Sequence, residues 1–179
     1  MRHIPNIISV IRILLVVPIA MALARQQLSL AVLLFFVAAV SDGVDGYLAR
    51  AFGWQSELGG MLDPIADKLL LATVFVTLAY LNLVPLWLMA AAVGRDIIIV
   101  AGAIAYRVFI GRLTAHPSLI SKINTICQAA YILSVLSREK FSAPPQWVTI
   151  WLGASVLATV IVSGIDYVLV YGKRAAAAA

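Results

Sequence analysis

Apolar residues run along this chain in six long stretches, separated by short groups of charged and turn-forming residues. The stretches cover about 7–24, 28–49, 60–81, 83–106, 118–137 and 147–171. A helix needs roughly 20 apolar residues to cross a bilayer, and each stretch is close to that length. The breaks fall at 25–27, 52–57, 82, 111–117 and 138–145. The pattern therefore predicts an all-α integral membrane protein, a bundle of six transmembrane helices.

Composition agrees with this pattern and excludes other classes. Of the 179 residues, 63% are hydrophobic and 12% are charged, which is unlike a soluble domain. We expect one transmembrane domain over 1–179, with the alanines at 175–179 as a tail or helix end. The net charge of +5 comes from basic residues that do not cluster, so nucleic-acid binding is a poor interpretation. The single Cys127 excludes an intrachain disulfide, and its apolar surroundings favour a packing role.

The basic residues also predict an orientation. If the N-terminus lies in the cytoplasm, the cytoplasmic segments hold Arg2, Arg50, Arg107, Arg112, Lys173 and Arg174. The opposite loops hold only Arg25, Arg138 and Lys140. The positive-inside rule then favours cytoplasmic termini. No signal cleavage site or mitochondrial targeting stretch is evident, so we expect a multi-pass protein of a bacterial inner membrane.

Four aspartates lie in the apolar part of the chain and make up half of its eight acidic residues. Asp42 and Asp45 are three apart, and Asp63 and Asp67 are four apart, so each pair shares one face of a helix. A carboxylate at membrane depth costs a few kcal/mol unless it has a partner or a function. Two facing pairs of hard oxygen ligands suit two Mg²⁺ or Mn²⁺ ions, which in turn suit phosphoryl-type transfer. The orientation above sets these residues at the cytoplasmic face.

These aspartates belong to a longer pattern, which reads Asp42-x-x-Asp45-Gly46-x-x-Ala49-Arg50, eight residues, then Gly59-x-x-x-Asp63-x-x-x-Asp67. The pattern matches every fixed position of the CDP-alcohol phosphotransferase motif, and the chain resembles that membrane-enzyme family over nearly its whole length. The resemblance implies the family's six-helix fold and homodimers. It also implies transfer of the phosphatidyl group of CDP-diacylglycerol to an acceptor hydroxyl, with release of CMP.

The resemblance also assigns roles to residues of the motif. Asp67 is the expected general base and, with Asp42, Asp45 and Asp63, a metal ligand. The expected CDP site consists of Asp45, Gly46, Ala49, Arg50 and Gly59. The alternative interpretations are helix packing for the small residues and an interfacial position for Arg50.

Three basic residues lie within or at the edges of apolar stretches: Arg12, Arg95 and Lys122. Together with the acidic motif they predict a binding site for an anionic acceptor. The resemblance supports this role for Arg95 and Lys122, since relatives hold an acceptor phosphate with an Arg and a Lys in matching helices. The alternative is that each is a structural counter-ion, as Asp96 beside Arg95 suggests. Lys68 is a candidate to balance the metal site.

The nature of the acceptor depends on two short segments. Gly94-Arg95-Asp96 and the run from Pro117 to Gln128 resemble the CMP-forming cardiolipin synthases, particularly at Asp96 and Asn124. Phosphatidylglycerophosphate synthases tend to have Glu and Lys at those positions. We therefore expect phosphatidylglycerol as acceptor, with glycerol 3-phosphate as the alternative.

Two other functional classes remain to be compared. Intramembrane carboxylates also occur in small metal or ion transporters. A transport path would place carboxylates at mid-membrane or at both faces, whereas the four motif aspartates cluster at one face. A scaffold role gives no reason for four aspartates in helical register. Release of CMP from CDP-diacylglycerol distinguishes the enzyme from both.

Overall fold

The computed structural model describes the backbone of residues 4–51, 57–109 and 119–178, and the side chains of 8–41, 65–102 and 119–167. The described chain is entirely α-helical between its turns. Its six helices are α1 (Ile4–Ala24), α2 (Leu28–Ala51), α3 (Glu57–Tyr80), α4 (Leu86–Phe109), α5 (Leu119–Phe141) and α6 (Gln146–Ala178). The six predicted elements are therefore confirmed as helices.

The described turns show why the apolar stretches end where they do. Gln26, Asn82 and Ser142 each have a positive φ, between 55° and 58°. A left-handed residue of this kind stops a helix, because the following N–H groups then bond back to carbonyls of the last turn. After α1, for example, Gln27 N donates to Ala22 O over 2.8 Å. Each turn is short, so α1–α2, α3–α4 and α5–α6 are antiparallel neighbours.

One predicted break is placed too early. We expected a loop over 138–145, but α5 continues to Phe141. Arg138, Glu139 and Lys140 are good helix formers, and Arg138 also donates to Gln146 at the start of α6 over 3.3 Å. A helix can extend beyond its apolar part, so hydropathy alone ends it too soon. The Ala run at 175–178 likewise belongs to α6.

α1 and α5 each pack against more than one other helix. α1 lies against both α2 and α3, α5 lies against α6 and α2, and α4 lies between α3 and α6. Buried apolar side chains fill the half of the bundle where α1 ends and α2 begins. They include Ile19, Leu23, Phe35, Val74, Phe75, Leu78, Ile132, Leu136 and Val156.

The outer surface of the described bundle is rich in large apolar side chains. Leu14, Val17 and Leu33 are each more than half exposed. By length and hydropathy, the segments Leu119–Phe141 and Gln146–Tyr167 are each able to cross a membrane, and Ile8–Ala24 and Leu28–Ser41 are shorter apolar helices. Trp87, Trp147 and Trp151 are also exposed, near the starts of α4 and α6. Apolar surface of this extent is typical of contact with lipid.

Candidate active site

The predicted motif divides between two consecutive helices. Its first half, from Asp42 to Arg50, lies in the last turns of α2, and its second half, from Gly59 to Asp67, lies in the first half of α3. α1 packs on both of these helices. The side chains of Asp42, Asp45, Gly46, Ala49, Arg50, Gly59 and Asp63 lie outside the described residues. Asp67 is therefore the one fixed residue of the motif whose side chain the structure describes.

Asp67 forms an ion pair with Arg12. Arg12 Nη1 donates to Asp67 Oδ1 over 2.5 Å, and the Arg12 side chain is only 1% exposed. The two residues are 55 positions apart, but both lie about two turns inside parallel helices that pack together. A buried arginine needs a partner because desolvating an isolated charge costs several kcal/mol. Arg12, predicted to bind the acceptor, is thus in direct contact with the predicted base.

A second group of charges lies beside the first. Lys68, the residue after Asp67, donates to Asp96 Oδ1 over 2.7 Å, and Arg95 Nη1 donates to the same oxygen over 2.5 Å. The pairing of Arg95 with Asp96, which the sequence offered as the alternative to acceptor binding, is present in the structure. The contact between Lys68 and Asp96 was not predicted from the sequence. We call Arg12, Asp67, Lys68, Asp96 and Arg95 the charge chain.

Two serines fix the other donors of the Arg95 guanidinium. Nε donates to Ser163 Oγ on α6 over 2.9 Å, and Nη2 donates to Ser121 Oγ on α5 over 3.1 Å. Arg95 itself is 7% exposed. Its planar group therefore joins α4, α5 and α6 at one level of the bundle. Neither serine carries a signal in the sequence that predicts this contact.

The charge chain has a surplus of positive charge. Among the described side chains it contains three cations, Arg12, Lys68 and Arg95, and two carboxylates, Asp67 and Asp96, a formal charge of +1 that leaves out the other three motif aspartates. A positive site formed from buried side chains attracts an anion, and it does so more strongly than an exposed one because solvent screening is weaker. The surplus lies at Lys68 and Arg95, which share one carboxylate, so these two residues are suited to an anionic ligand.

Lys122 occupies a different environment. It follows Ser121, which touches Arg95, but its own side chain is exposed and forms no salt bridge with the described residues. Its position next to a residue that holds Arg95 places it at the border of the same cluster. The structure thus places Arg12 in contact with the predicted base. It joins Arg95, through Asp96, to Lys68, the residue after that base, and leaves Lys122 beside this second group.

Two buried amides on α5 mark the other side of the cluster. Asn124 is fully buried and its Oδ1 accepts from Thr159 over 2.9 Å. Gln128, one turn further along, is 1% exposed. The amide nitrogens of both residues lack a hydrogen-bond partner in the part of the chain that the structure describes. Sequence comparison singled out Asn124 as a subfamily marker without giving it a physical role.

The donor set is chemically suited to divalent cations. The four motif aspartates provide only hard oxygen ligands, which Mg²⁺ and Mn²⁺ prefer. They come from two consecutive helices, with the predicted helical spacings inside each. Among the described side chains, which include Asp67 but not the other three aspartates, no group of three potential ligands occurs.

Comparison with known proteins agrees with the motif. A family model described as CDP-alcohol phosphatidyltransferase matches residues 2–162. The cardiolipin synthase (CMP-forming) of Homo sapiens is 30% identical over 155 residues, which cover 78% of this chain and 52% of that protein. The CDP-diacylglycerol–glycerol-3-phosphate 3-phosphatidyltransferase of Bacillus subtilis is 32% identical, covering 75% of this chain and 69% of that protein.

A third relative covers more of the chain. The probable phosphatidylglycerophosphate synthase of Mycobacterium tuberculosis is 29% identical over 93% of this chain and 80% of that protein. By contrast, the chain spans about half the length of the animal cardiolipin synthases it matches. The family model covers both halves of the aspartate motif and every residue of the charge chain. The chain belongs to the CDP-alcohol phosphatidyltransferase family.

Proposed function

We propose that this protein transfers the phosphatidyl group of CDP-diacylglycerol to an acceptor hydroxyl and releases CMP. The observation that carries the proposal is the Arg12–Asp67 ion pair inside a member of this family. The last carboxylate of the motif is held in a fixed position, 23% exposed, by an arginine that is itself buried. A carboxylate held in this way can accept a proton from a hydroxyl that reaches it.

In this mechanism Asp67 is the general base. It takes the proton of the acceptor hydroxyl as the hydroxyl oxygen attacks the β-phosphorus of the donor, the one attached to diacylglycerol. The bond from that phosphorus to the oxygen bridging the two phosphates then breaks. Arg12 positions the carboxylate through Oδ1. The carboxylate of Asp67 is the candidate acceptor of the proton.

The donor would be held by the motif residues at the end of α2 and the start of α3. Gly46, Ala49 and Gly59 are small enough for close approach by a nucleotide, and Arg50 can pair with a phosphate through two parallel hydrogen bonds. The four aspartates would hold two Mg²⁺ or Mn²⁺ ions, whose positive charge neutralises the pyrophosphate and stabilises the leaving CMP.

We further propose phosphatidylglycerol as the acceptor and cardiolipin as the product. Arg95 and Lys122, with Arg12, would bind its phosphate. Since Asp96 already neutralises one of its two cation partners, the charge chain retains a formal charge of +1. One positive charge matches a phosphodiester, which carries a single negative charge, better than a phosphomonoester near −2. Glycerol 3-phosphate remains the second candidate, because this chain covers 69% of the Bacillus subtilis relative that is named for that acceptor, but only 52% of the human cardiolipin synthase.

A product assay tests both levels of the proposal. Purified protein in mixed micelles is supplied with CDP-diacylglycerol and Mg²⁺, plus phosphatidylglycerol or glycerol 3-phosphate, and CMP and lipid products are measured. We expect CMP and cardiolipin with phosphatidylglycerol only. CMP formation with glycerol 3-phosphate alone would overturn the acceptor and keep the transferase. Absence of CMP with both acceptors would overturn both candidate acceptors and, with them, the proposed reaction.

A pair of variants separates the base from a metal ligand. If Asp67 is the base, Asp67→Asn should lose turnover while still binding CDP-diacylglycerol. Asp63→Asn should lose turnover and bind the donor more weakly. Equilibrium binding of the donor to each variant gives the comparison. The assignment fails if Asp67→Asn loses donor binding and Asp63→Asn keeps it.

The proposal includes six membrane spans with both termini and the motif in the cytoplasm of a bacterium, and a homodimeric assembly. The exposed apolar surface, the distribution of Arg and Lys, and the bacterial relatives support this arrangement. In a Cys127→Ala background, a cysteine replacing Lys140 should react with an impermeant thiol reagent in intact cells. A cysteine replacing Lys173 should not react. The reverse labelling contradicts the orientation.

A further inference from the structure

A groove between α4 and α6 lies outside the catalytic motif but touches the charge chain. It has a volume of ≈ 440 Å³ and is lined by Arg95, Ile98, Ile99, Val160, Ile161, Gly164, Ile165 and Tyr167. This volume is within the usual range for a small-molecule site, roughly 300–1,000 Å³. Apart from Arg95 and the phenol of Tyr167, the lining consists of aliphatic side chains and a glycine.

The groove opens sideways, toward the surroundings of the bundle. Ile98 is 63% exposed, Ile161 52% and Ile165 55%, and these three side chains form its rim. In a membrane protein such a surface faces acyl chains rather than water. A ligand can therefore enter this groove from within the bilayer.

Both ends of the groove are defined by the packing of α4 on α6. At one end, Arg95 is tied to Ser163 of α6. At the other, Tyr167 lies over Gly102 so closely that a Cβ on Gly102 would be 2.0 Å from the tyrosine Oη. Between them, Gly164 leaves space, since a Cβ there would meet no atom within 4 Å. From Val160 to Tyr167 a helix rises about 10 Å, so the groove is elongated along the helix.

We propose that this groove binds an acyl chain of the acceptor lipid while its phosphate binds at the charge chain; this inference rests on the proposed function. Arg95 joins the two parts, because it lines the groove and also contacts Asp96, Ser121 and Ser163. The formal charge of +1 complements a phosphodiester with one negative charge. An apolar groove next to that charge fits a molecule that has a phosphodiester and a hydrocarbon chain together. A water-soluble phosphomonoester has no hydrocarbon chain that could occupy the groove.

The test compares acceptors that share a headgroup and differ in their acyl chains, one pair long and one pair short. The ratio of kcat/KM for dioleoyl-phosphatidylglycerol to that for dihexanoyl-phosphatidylglycerol reports contact with the far part of the chain. The full-length protein is assayed in mixed micelles at saturating CDP-diacylglycerol. Gly164→Leu fills the groove and should lower this ratio on the order of tenfold, a typical effect of changing an apolar pocket. Ala158→Leu introduces the same side chain at an exposed position of α6 outside the lining and should leave the ratio unchanged.

A second pair of variants does not depend on filling the groove. Ile98→Ala removes one side of the rim, whereas Ile97→Ala removes the same atoms from the neighbouring residue, which is 62% exposed and does not line the groove. We expect the ratio to fall about threefold for Ile98→Ala alone, on the scale of a few methyl groups in an apolar site. If Gly164→Leu does not fold, this pair gives the answer.

Each other outcome overturns the inference in a distinct way. Equal ratios for all variants mean that no acceptor chain occupies the groove. A raised KM for CDP-diacylglycerol with an unchanged acceptor ratio assigns the groove to the donor. A change in oligomeric state for Gly164→Leu, measured by light scattering with detergent correction, assigns it to a second copy of the chain. If the wild-type protein uses glycerol 3-phosphate and neither the dioleoyl nor the dihexanoyl form of phosphatidylglycerol, the proposed acceptor is wrong. The groove proposal, which depends on that acceptor, is then wrong as well.

Discussion

Both halves of the helix bundle contain side chains that are almost fully buried, but those side chains are held in different ways. In one half, where α1 ends and α2 begins, Phe35, Phe75 and Leu78 are at most 1% exposed and contact apolar neighbours. In the other half, Arg12 is equally buried, and its described contact is an ion pair with Asp67. We call these the apolar half and the charged half.

The difference shows where function is located in such a protein. In lipid, apolar side chains gain little by leaving the surroundings for the bundle, so the apolar half depends on close packing. The charged half loses stability whenever a partner is removed, since a buried charge without a partner is costly. Ionisable residues in that position indicate a functional site. Substitutions in the charged half should therefore lower activity, whereas substitutions in the apolar half should lower stability alone.

Removal of divalent metal should have the largest effect. If two ions are held by the four aspartates, EDTA should abolish CMP release, and added Mg²⁺ or Mn²⁺ should restore it. The thermal unfolding of the apolar half should change little, because no aspartate lies in it. Full turnover in a chelated sample, verified by metal analysis, is incompatible with the two-metal proposal.

Asp67→Asn should lose on the order of 10²-fold or more in turnover, since general bases and metal ligands contribute at that scale. The variant also leaves Arg12 facing a neutral amide, so its unfolding midpoint should fall. Leu71→Met, one turn further along α3 and 5% exposed in the wild type, is the control, because it conserves volume outside the charge chain. An equal loss of turnover in both variants would show that any substitution in this part of α3 reduces activity. The loss in Asp67→Asn would then no longer support Asp67 as the general base.

Asp96→Asn should reduce both stability and acceptor use. Asp96 Oδ1 accepts from Lys68 and from Arg95, so the variant leaves two partly buried cations without their carboxylate. Breaking a buried pair costs about 3–5 kcal/mol in soluble proteins. We expect a lower unfolding midpoint. The KM for the acceptor should rise, because Lys68 and Arg95 lose the carboxylate that positions them and this outweighs the added positive charge. Donor binding should be kept. Asp96→Glu keeps a carboxylate and should recover part of both the unfolding midpoint and the acceptor KM. Recovery of the midpoint without recovery of the KM would contradict a role of Asp96 in acceptor binding.

The sequence predicts the apolar half better than the charged half. Apolar length and turn residues predict all six helices, and the aspartate spacings predict the family. Pairing across the bundle is harder to predict, because Arg12 and Asp67 are 55 residues apart and Lys68 and Asp96 are 28 apart. Adjacent residues of a helix point about 100° apart, so Lys68 need not serve the same site as Asp67. Which side chain meets which depends on the rotation of each helix, and a single sequence does not specify that rotation.

Phe75→Leu tests the apolar half. The ring of Phe75 stacks on Tyr131 with centroids 6.0 Å apart and planes at 25°. Losing that contact should cost about 1 kcal/mol, measured by unfolding in detergent, with kcat/KM unchanged below the transition. A loss of activity without a loss of stability would mean that the apolar half takes part in catalysis and would break the distinction between the halves.

The smallest expected effect concerns one polar contact near the apolar half. Ser134 Oγ and Thr149 Oγ1 are 2.8 Å apart and join α5 to α6. Hydrogen bonds between membrane helices average about 0.6 kcal/mol in double-mutant cycles, because the separated helices find other partners. We therefore expect a coupling energy of that size between Ser134→Ala and Thr149→Val, measured from unfolding of the two single variants and the double variant. Each single change leaves one hydroxyl that can bond to a carbonyl of its own helix, as Ser155 does to Trp151. A coupling energy of several kcal/mol would show that neutral hydrogen bonds, as well as ion pairs, hold these helices strongly, and the contrast between the two halves would then be one of charge only.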